Sequence, residues 1–380
     1  MILNQVKYGK GSYGDNAARG GMGDIGRIFL RLVLYGPHRD PVDRVLLSSL
    51  GWKAYEVAMT EADRAMTDPV ESMAVSVRRL PADASMSMHV VFWILQPALL
   101  LSVLAAWLMD PQNPALFGLT LLGVHLLLGA LEYRMPARRH WHHTAAEKTV
   151  VIGIAIITFM VGGAAGGLYE TYLTAPFDAL RAMLGLNLWP YHWPLIPQAL
   201  LAFFVSELIW YWMHRAEHRW KLVWRLSGHG AHHAFKKLNA INAGANHPIE
   251  LFLIVLPSIL VDLLFGVGVA AYGAVLLTVV QTAVVHSNLR LNSSLIGWLF
   301  TTNAWHIRHH SADLGESNTN YGCAAIVWDR VFGTFGDSAV IEAGVGPREP
   351  TTMEKLLMPI REPVGSVIAP AGRSHRSSAP

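Results

Sequence analysis

Cysteine is almost absent from this sequence. Cys323 is the only one among 380 residues, which excludes an intramolecular disulfide framework and the CxxC sites that hold zinc or iron–sulfur clusters. Charged residues are also scarce, at 15%, whereas 52% of the residues are hydrophobic. That balance is too apolar for an ordinary soluble protein of this length. The small formal charge of +3 gives no indication of nucleic-acid binding.

The N-terminal residues lack the order of a cleavable signal peptide, in which a charged stretch precedes an apolar one. We therefore expect internal segments to insert the chain into a membrane. Four apolar stretches are long enough, at ~1.5 Å per residue, to cross ~30 Å of hydrocarbon. They are 90–109, 115–131, 150–168 and 196–213.

A fifth apolar stretch, 251–285, contains one acid, Asp262, and no base. A single helix of that length would extend ~52 Å, much more than the hydrocarbon thickness. Two shorter passes, separated near Gly266 and Gly268, fit the membrane better. Two passes also return the chain to the side of the membrane from which it left.

Lysine and arginine are distributed unevenly between the segments that connect these stretches. Four lie in 132–148 and six in 214–248, whereas the turn 110–114 has none and the predicted loop 169–195 has one. The positive-inside rule then places both termini and the region 214–248 in the cytosol.

Eight histidines form three short motifs next to apolar segments. The first motif is HxxxH, and the second and third are HxxHH. Positions i, i+3 and i+4 share one face of a helix, so we expect each motif to direct its imidazoles at one point. Eight imidazoles exceed the roughly four to six ligands of one metal ion, which favours two ions in a shared histidine cage. The eight are His214, His218, His229, His232, His233, His306, His309 and His310.

Other uses of histidine have to be considered. Histidines at a membrane edge can form a pH sensor or a basic surface patch, but neither role needs the repeated spacing. A further group, His140, His142 and His143, has a different spacing and lies in a basic loop, so we expect it at the surface. His125, inside the second apolar stretch, is expected to pack in the bundle or to line a substrate site.

The three motifs, followed by Asn320-Tyr321-Gly322 and by WDRVFGT at 328–334, resemble the fatty acid hydroxylase/sterol desaturase family. The resemblance covers roughly 121–335. It agrees with an all-α fold: a multi-pass integral-membrane helical bundle with a cytosolic histidine-box metal-binding cap. The expected parts are a cytosolic N-terminal arm that is glycine-rich and then helical (1–88), four transmembrane helices (89–213), a catalytic region (214–336) that includes the membrane hairpin 251–285, and a partly disordered C-terminal tail (337–380).

The resemblance also implies an activity. The family uses two histidine-bound iron ions and O2 to hydroxylate or desaturate a C–H bond of a lipid, such as a sterol or a fatty acyl chain. No flavin, haem or iron–sulfur motif is visible, so electrons are expected from a separate donor, a ferredoxin or a cytochrome b5-type protein. The expected location is the bacterial inner membrane. No catalytic residue beyond the metal ligands is expected.

Two further histidines are candidate ligands by the same resemblance. His286 directly follows the hairpin, and His247 lies in the turn before it, where capping the next helix is an equally good role. Residues expected behind the ligands are Glu207, Tyr211, Asn288, Asp313 and Asp329.

An acid inside a membrane span is costly and is a functional candidate. Glu207 shares a helix face with His214 and His218. We therefore predict that its carboxylate accepts a hydrogen bond from a ligand imidazole.

Two other classes of protein also use clustered histidines. A membrane haem electron carrier would need histidines within facing spans, whereas these motifs lie at the ends of spans. A metal transporter would need polar ligands near the bilayer midplane, where only His125, Glu207 and Asp262 qualify.

Overall fold

The computed structural model describes residues 77–185, 187–294 and 296–361. Nearly all of the arm predicted for 1–88 lies outside these residues, as does the end of the tail, for which disorder is predicted.

The described residues are helical, and apart from one isolated bridge between Ser311 and Ala343 they contain no strand. In chain order the helices are α1 (Met86–Met109), α2 (Pro114–Arg134), α3 (Ala145–Leu184), α4 (Leu195–Arg219), α5 (Lys221–Ser227), α6 (His229–His233), α7 (Glu250–Phe265), α8 (Val269–His286), α9 (Asn303–His309), α10 (Leu314–Ser317), α11 (Val327–Phe332) and α12 (Thr352–Leu357).

Five of these helices, α1, α2, α3, α4 and α8, are long and apolar enough to cross a membrane. The sixth helix of the apolar part, α7, has 16 residues and extends ~24 Å, which is shorter than the ~30 Å hydrocarbon core. The predicted fold class, a multi-pass membrane helical bundle with clustered histidines, is confirmed.

The third helix differs from the prediction. We expected a loop over 169–195, but α3 has 40 residues and continues to Leu184. At 1.5 Å per residue it extends ~60 Å, about twice the hydrocarbon thickness. It continues through Pro176, a residue that normally interrupts a helix. It ends only at Gly185, whose φ of +61° is the left-handed conformation that favours glycine.

The membrane hairpin consists of α7 and α8. The two helices are separated at Gly266 and Gly268, which both have positive φ, and the Asp262 carboxylate accepts a hydrogen bond of 2.7 Å from the Gly268 N–H. These contacts satisfy backbone groups that a helix end leaves unpaired.

Helices α4 and α8 pack against each other through buried apolar side chains such as Phe203, Leu277 and Val280. Their C-terminal ends carry His214 and His286, whose side chains are both buried. The shared core thus brings the end of α4 and the end of α8 to the same place.

The first part of the C-terminal tail is structured and covers the histidine region. The Val345 N–H donates to the His233 carbonyl at 2.9 Å, and the Gly344 N–H donates to the His310 carbonyl at 2.8 Å. The disorder predicted for the end of the tail lies outside the described residues and stays a prediction. The hydrogen bonds that hold the first part of the tail join main-chain atoms, so the side-chain sequence does not predict them.

Candidate metal centre

Nine buried histidines converge at one end of the bundle, where α4, α6, α8 and α9 meet. They form two groups, within each of which the candidate ligand atoms lie within 4.8 Å of one another. The first group is His214, His218, His229, His233 and His309, and the second is His232, His286, His306 and His310.

Each HxxHH motif contributes to both groups, which corrects the expectation that one motif directs all its imidazoles at one point. In the second motif, His229 and His233 belong to the first group and His232 to the second. In the third motif, His306 and His310 belong to the second group and His309 to the first. The i and i+4 side chains thus stay together, and the third side chain of each motif points to the neighbouring group.

The tautomers of three ligands are set by backbone carbonyl oxygens, which only accept hydrogen bonds. Nδ1 of His214 lies 2.7 Å from the Tyr321 carbonyl, and Nδ1 of His309 lies 2.9 Å from the Thr319 carbonyl. Nδ1 of His286 lies 2.8 Å from a carbonyl of its own helix, that of Thr282. Each Nδ1 must therefore carry the proton, which leaves a lone pair on Nε2.

These Nε2 atoms lie close to the Nε2 atoms of neighbouring histidines. In the first group, Nε2 of His214 lies 3.0 Å from Nε2 of His229 and 3.0 Å from Nε2 of His309. In the second group, Nε2 of His286 lies 3.1 Å from Nε2 of His232 and of His306.

The Nε2 lone pairs of His214 and His309 have no proton between them and repel each other, and a shared metal ion would remove the repulsion. Metal–imidazole bonds of about 2.0–2.1 Å at right angles would separate the nitrogens by about 3.0 Å. The donor set and its spacing therefore fit a metal ion in each group.

Burial keeps the imidazoles in the form that binds metal. Transfer of the ring from water, together with the neighbouring imidazoles, lowers the pKa of six histidines outside the spanning helices well below the ordinary value. They are His229, His232, His233, His306, His309 and His310. Neutral imidazole is the metal-binding form.

Two buried carboxylates lie behind His229, and sequence reasoning missed both. Oε1 of Glu250 accepts a hydrogen bond of 2.6 Å from His229 Nδ1, and Oε2 of Glu217 lies 3.6 Å from the same nitrogen. Both glutamates are 1% exposed. A carboxylate behind a ligand imidazole fixes its tautomer and strengthens it as a donor. An acid inside each histidine-rich segment, in HRAEH and in NHPIE, was the available signal.

Asp329 supports a ligand through one intervening residue. Its carboxylate accepts hydrogen bonds from the N–H groups of Tyr321 and Gly322 at 2.8 and 2.6 Å and from the Thr334 hydroxyl at 2.6 Å. The Tyr321 carbonyl is the acceptor for His214. Asp329 therefore holds the peptide that orients this histidine.

The structure corrects the predicted contact of Glu207. Its carboxylate accepts from the Thr278 hydroxyl at 3.0 Å and from the Ala324 N–H at 3.3 Å, not from an imidazole. Glu207 lies seven residues before His214, about 10 Å along the helix axis, so its short side chain meets α8 and the 324 loop instead. The Tyr211 hydroxyl likewise contacts Thr334.

Three other candidates lie outside both groups. The Asn288 side chain accepts a hydrogen bond from the Arg138 N–H and donates one to the Arg138 carbonyl. Asp313 caps the short helix α10. His247 uses both ring nitrogens on the backbone, since Nδ1 accepts from the Ile249 N–H and Nε2 faces the Leu356 carbonyl, each at 3.1 Å. The capping role fits His247, and His140, His142 and His143 are in neither group.

A cavity of about 650 Å³ extends from the histidines into the apolar part of the bundle. His214, His232, His306 and Cys323 line one end of it. Most of its remaining wall comes from α2, α3, α7 and α8, and His125 is part of that wall. The cavity therefore connects the metal-binding groups with the region that a bilayer would surround.

The fold and the site together are those of a membrane helical bundle with two histidine clusters, each of which could hold a metal ion. Residues 199–334 match the family model described as fatty acid hydroxylase. This range contains all nine histidines, and it carries the similarity of the chain to the fatty acid hydroxylase/sterol desaturase family.

Three relatives illustrate the similarity. An ornithine lipid hydroxylase of Rhizobium tropici is 29% identical over 225 residues, which are 58% of this chain and 66% of that protein. A lathosterol oxidase of Mus musculus is 29% identical over 145 residues, 38% of this chain and 46% of its own. An alkylglycerol monooxygenase of Xenopus tropicalis is 26% identical over 140 residues, which are 36% of this chain and 30% of that protein. The matched part thus spans about a third to two thirds of each relative. No solved structure matches the chain significantly.

Proposed function

We propose that this protein is a membrane-bound di-iron oxygenase that hydroxylates a C–H bond of a lipid with O2. The observation that carries the proposal is the cavity that joins the apolar interior of the bundle to the two histidine groups. The names of the relatives support the reaction class, since they describe a lipid hydroxylase, a sterol oxidase and a glycerol-ether monooxygenase.

Ligands for the two iron ions are the nine histidines of the two groups, and His247 is left out. Bound iron would supply O2 activation, which no side chain of this site provides. The balance for hydroxylation is R–H plus O2, two electrons and two protons, giving R–OH and water. Removal of a second hydrogen in place of oxygen transfer would give an alkene, and both outcomes use the same ligand set.

The chain itself contributes positioning and exclusion of water. Glu250 and the carbonyls of Tyr321, Thr319 and Thr282 fix ligand orientation, so that little rearrangement is needed when metal binds. The Nε2 donors lie in a buried site, and the tail segment that bonds to His233 and His310 covers it from outside. Both features favour a dry site with a fixed geometry.

Electrons would come from a separate ferredoxin or cytochrome b5-type donor. We further propose that the histidine groups face the cytosol of a bacterial cell, with the protein in the inner membrane. The topology is tested with single cysteines at exposed positions on the two ends, Gln112→Cys and Met353→Cys. A membrane-impermeant reagent added to intact spheroplasts should label the first and spare the second. The opposite pattern would invert the assignment.

The two rival classes fit the arrangement less well. Nε2 atoms 3.0–3.2 Å apart leave no room for a porphyrin between them, which argues against a haem carrier. A transporter would need ligands along a path, whereas the nine histidines are concentrated at one end. Absence of a Soret band and of metal-dependent flux in proteoliposomes is expected.

The direct test is mass spectrometry of lipids from cells that express the protein or its His306→Ala variant, which lacks one proposed ligand. A lipid heavier by one oxygen, or lighter by two hydrogens, should accumulate only with the unchanged protein. Identical lipid profiles in the presence of a suitable electron donor would contradict the proposal.

A further inference from the structure

One wall of the cavity is made of glycine. Gly162, Gly163, Gly166 and Gly167 of α3 all line it. A Cβ atom placed on any of the last three would meet no heavy atom within 4 Å, and one on Gly162 would meet only a Val255 methyl at 3.8 Å. The glycines are therefore not needed for close helix packing here. What they provide is an open slot along α3.

The slot lies between α3 and α2 and opens on the outer surface of the bundle. Phe117 and Leu121 of α2 line the same cavity as the glycines. The two helices meet at the His125 and Phe159 rings, whose centroids are 6.2 Å apart. Phe159 is 45% exposed although it lines the cavity. Gly163 and Gly167 of the same helix are exposed as well, so the cavity wall is open along this part of α3.

The two ends of the cavity differ in chemistry. At the inner end, Oε2 of Glu250, in a residue that is 1% exposed, has no hydrogen-bond partner, and His229, which Oε1 contacts, also lines the cavity. At the outer end three carboxylates line the wall, those of Asp110, Glu170 and Asp262. No lysine or arginine contributes to the described lining.

The distance between the ends follows from α7, which lines the cavity from Leu251 to Asp262. Eleven residues of helix correspond to ~17 Å. That length suits a long alkyl chain lying parallel to the helices, and the apolar walls between the ends offer no partner for a polar group.

We propose that the slot admits the alkyl chain of an amphiphile sideways from the bilayer, with an ammonium-bearing headgroup at the carboxylate end. The reacting carbon then lies ~17 Å along the chain from the headgroup. The Asp110 and Glu170 carboxylates attract an ammonium group and repel an anionic headgroup. Asp262 contributes less, because it accepts a hydrogen bond from the Gly268 N–H and lies near the Arg181 guanidinium. The inference rests on the proposed lipid oxygenase function and specifies its substrate class.

The slot is tested by filling it. Gly166→Leu puts a side chain into the open space and also favours helix, so the fold should persist. Gly123→Leu on α2 is the matched control, because a Cβ there also meets nothing within 4 Å and Gly123 is not in the lining. Both variants are purified from membranes, and iron content and co-purified lipid are measured by mass spectrometry.

Gly166→Leu should keep its iron and lose at least ~10-fold of the co-purified amphiphile, whereas Gly123→Leu should keep both. Normal lipid content in iron-replete Gly166→Leu would overturn the slot. If that variant loses iron, Gly167→Leu replaces it as the decisive case and is judged by the same criterion.

The headgroup is tested with two probes of equal chain length, an alkylamine and a fatty acid, in competition for the iron-loaded protein in nanodiscs. The unchanged protein should prefer the amine by at least ~10-fold, and the double variant Asp110→Asn, Glu170→Gln should lose most of that preference. Equal binding, or preference for the acid, would overturn the assignment.

Binding of the amphiphile can be measured without turnover, so the slot and the proposed oxygenase function are tested independently. A protein that binds the amine in the slot but oxidises no lipid would refute the proposed function alone. A protein that oxidises lipid equally well with Gly166→Leu would refute the slot alone.

Discussion

Nε2 of His214 and Nε2 of His309 lie 3.0 Å apart, while Nδ1 of each ring faces a backbone carbonyl oxygen. The two carbonyls fix the proton on Nδ1, so both Nε2 atoms present lone pairs to the same point. The protein thus holds the two donors in a geometry that a cation stabilises. Because the acceptors are main-chain atoms of the 319–321 segment, the preorganisation depends on the path of the backbone.

The contact between Glu250 and His229 gives the first prediction. Glu250→Gln keeps the size of the side chain but removes the charge behind the imidazole. Iron affinity should fall by roughly 10- to 100-fold, the usual effect of losing such a partner, as measured by competition with a chelator. Glu342→Gln, at an exposed position near the tail, is the control and should bind iron normally. An unchanged affinity in Glu250→Gln would show that the carboxylate does not act through His229.

Glu207 gives a contrasting prediction. Its partners are the Thr278 hydroxyl and the Ala324 N–H, and an amide can serve both. Glu207→Gln should therefore keep its full iron content, measured by plasma emission spectrometry on the same preparations. Loss of half the iron or more in a folded protein would mean that the carboxylate reaches a ligand.

Asp329 should make stability depend on pH. Burial raises the pKa of Asp329 to about 6, although three hydrogen bonds oppose the rise. A folded pKa above the unfolded value of 3.8 means that the carboxyl contributes most stability below that value, and that this contribution is lost as pH rises through about 6. The change is at most ~3 kcal/mol.

Asp329→Asn removes this titration and leaves one buried N–H without a good acceptor, at a cost of about 1–3 kcal/mol. Thermal denaturation between pH 4.5 and 7.5 should show a smaller decline with rising pH in the variant than in the unchanged protein. Parallel curves would mean that Asp329 does not titrate in this range.

The tail segment gives a prediction with a matched pair of glycines. Gly344 and Gly333 both have positive φ, +87° and +71°. A Cβ on Gly344 would lie 2.7 Å from the Phe235 carbonyl oxygen, whereas one on Gly333 meets nothing within 4 Å. Gly333→Ala should cost about 1–2 kcal/mol of stability for its conformation alone.

Gly344→Ala should cost at least ~1 kcal/mol more, because overpacking against backbone forces the strand-like segment away from the histidines. It should also lose iron faster to a chelator. Equal denaturation temperatures for the two alanine variants would indicate that the segment at 344 adjusts freely.

The sequence was most informative where the chemistry is local. Spacing singled out the eight motif histidines, and the length of 251–285 predicted two helices with a break near Gly266. It was misleading for α3, because Pro176 and the polar residues between 169 and 184 favour a loop over a helical extension. The helix simply continues to Gly185.

The division of each HxxHH motif between two groups is a tertiary effect. It depends on how α6 and α9 pack against the ends of α4 and α8, and the spacing within a motif carries no information about that. Glu217 and Glu250 were missed for a similar reason, since α4 and α7 bring them together behind His229. Glu207, chosen for its helix face, lies too far along the axis to reach a ligand.

The central claim is that the nine histidines hold two iron ions. Protein produced with ample iron should contain about two ions per chain, and His306→Ala, which affects the group of four, should retain about one. Active protein with a single ion, or a His306→Ala variant that loses none, would contradict the account.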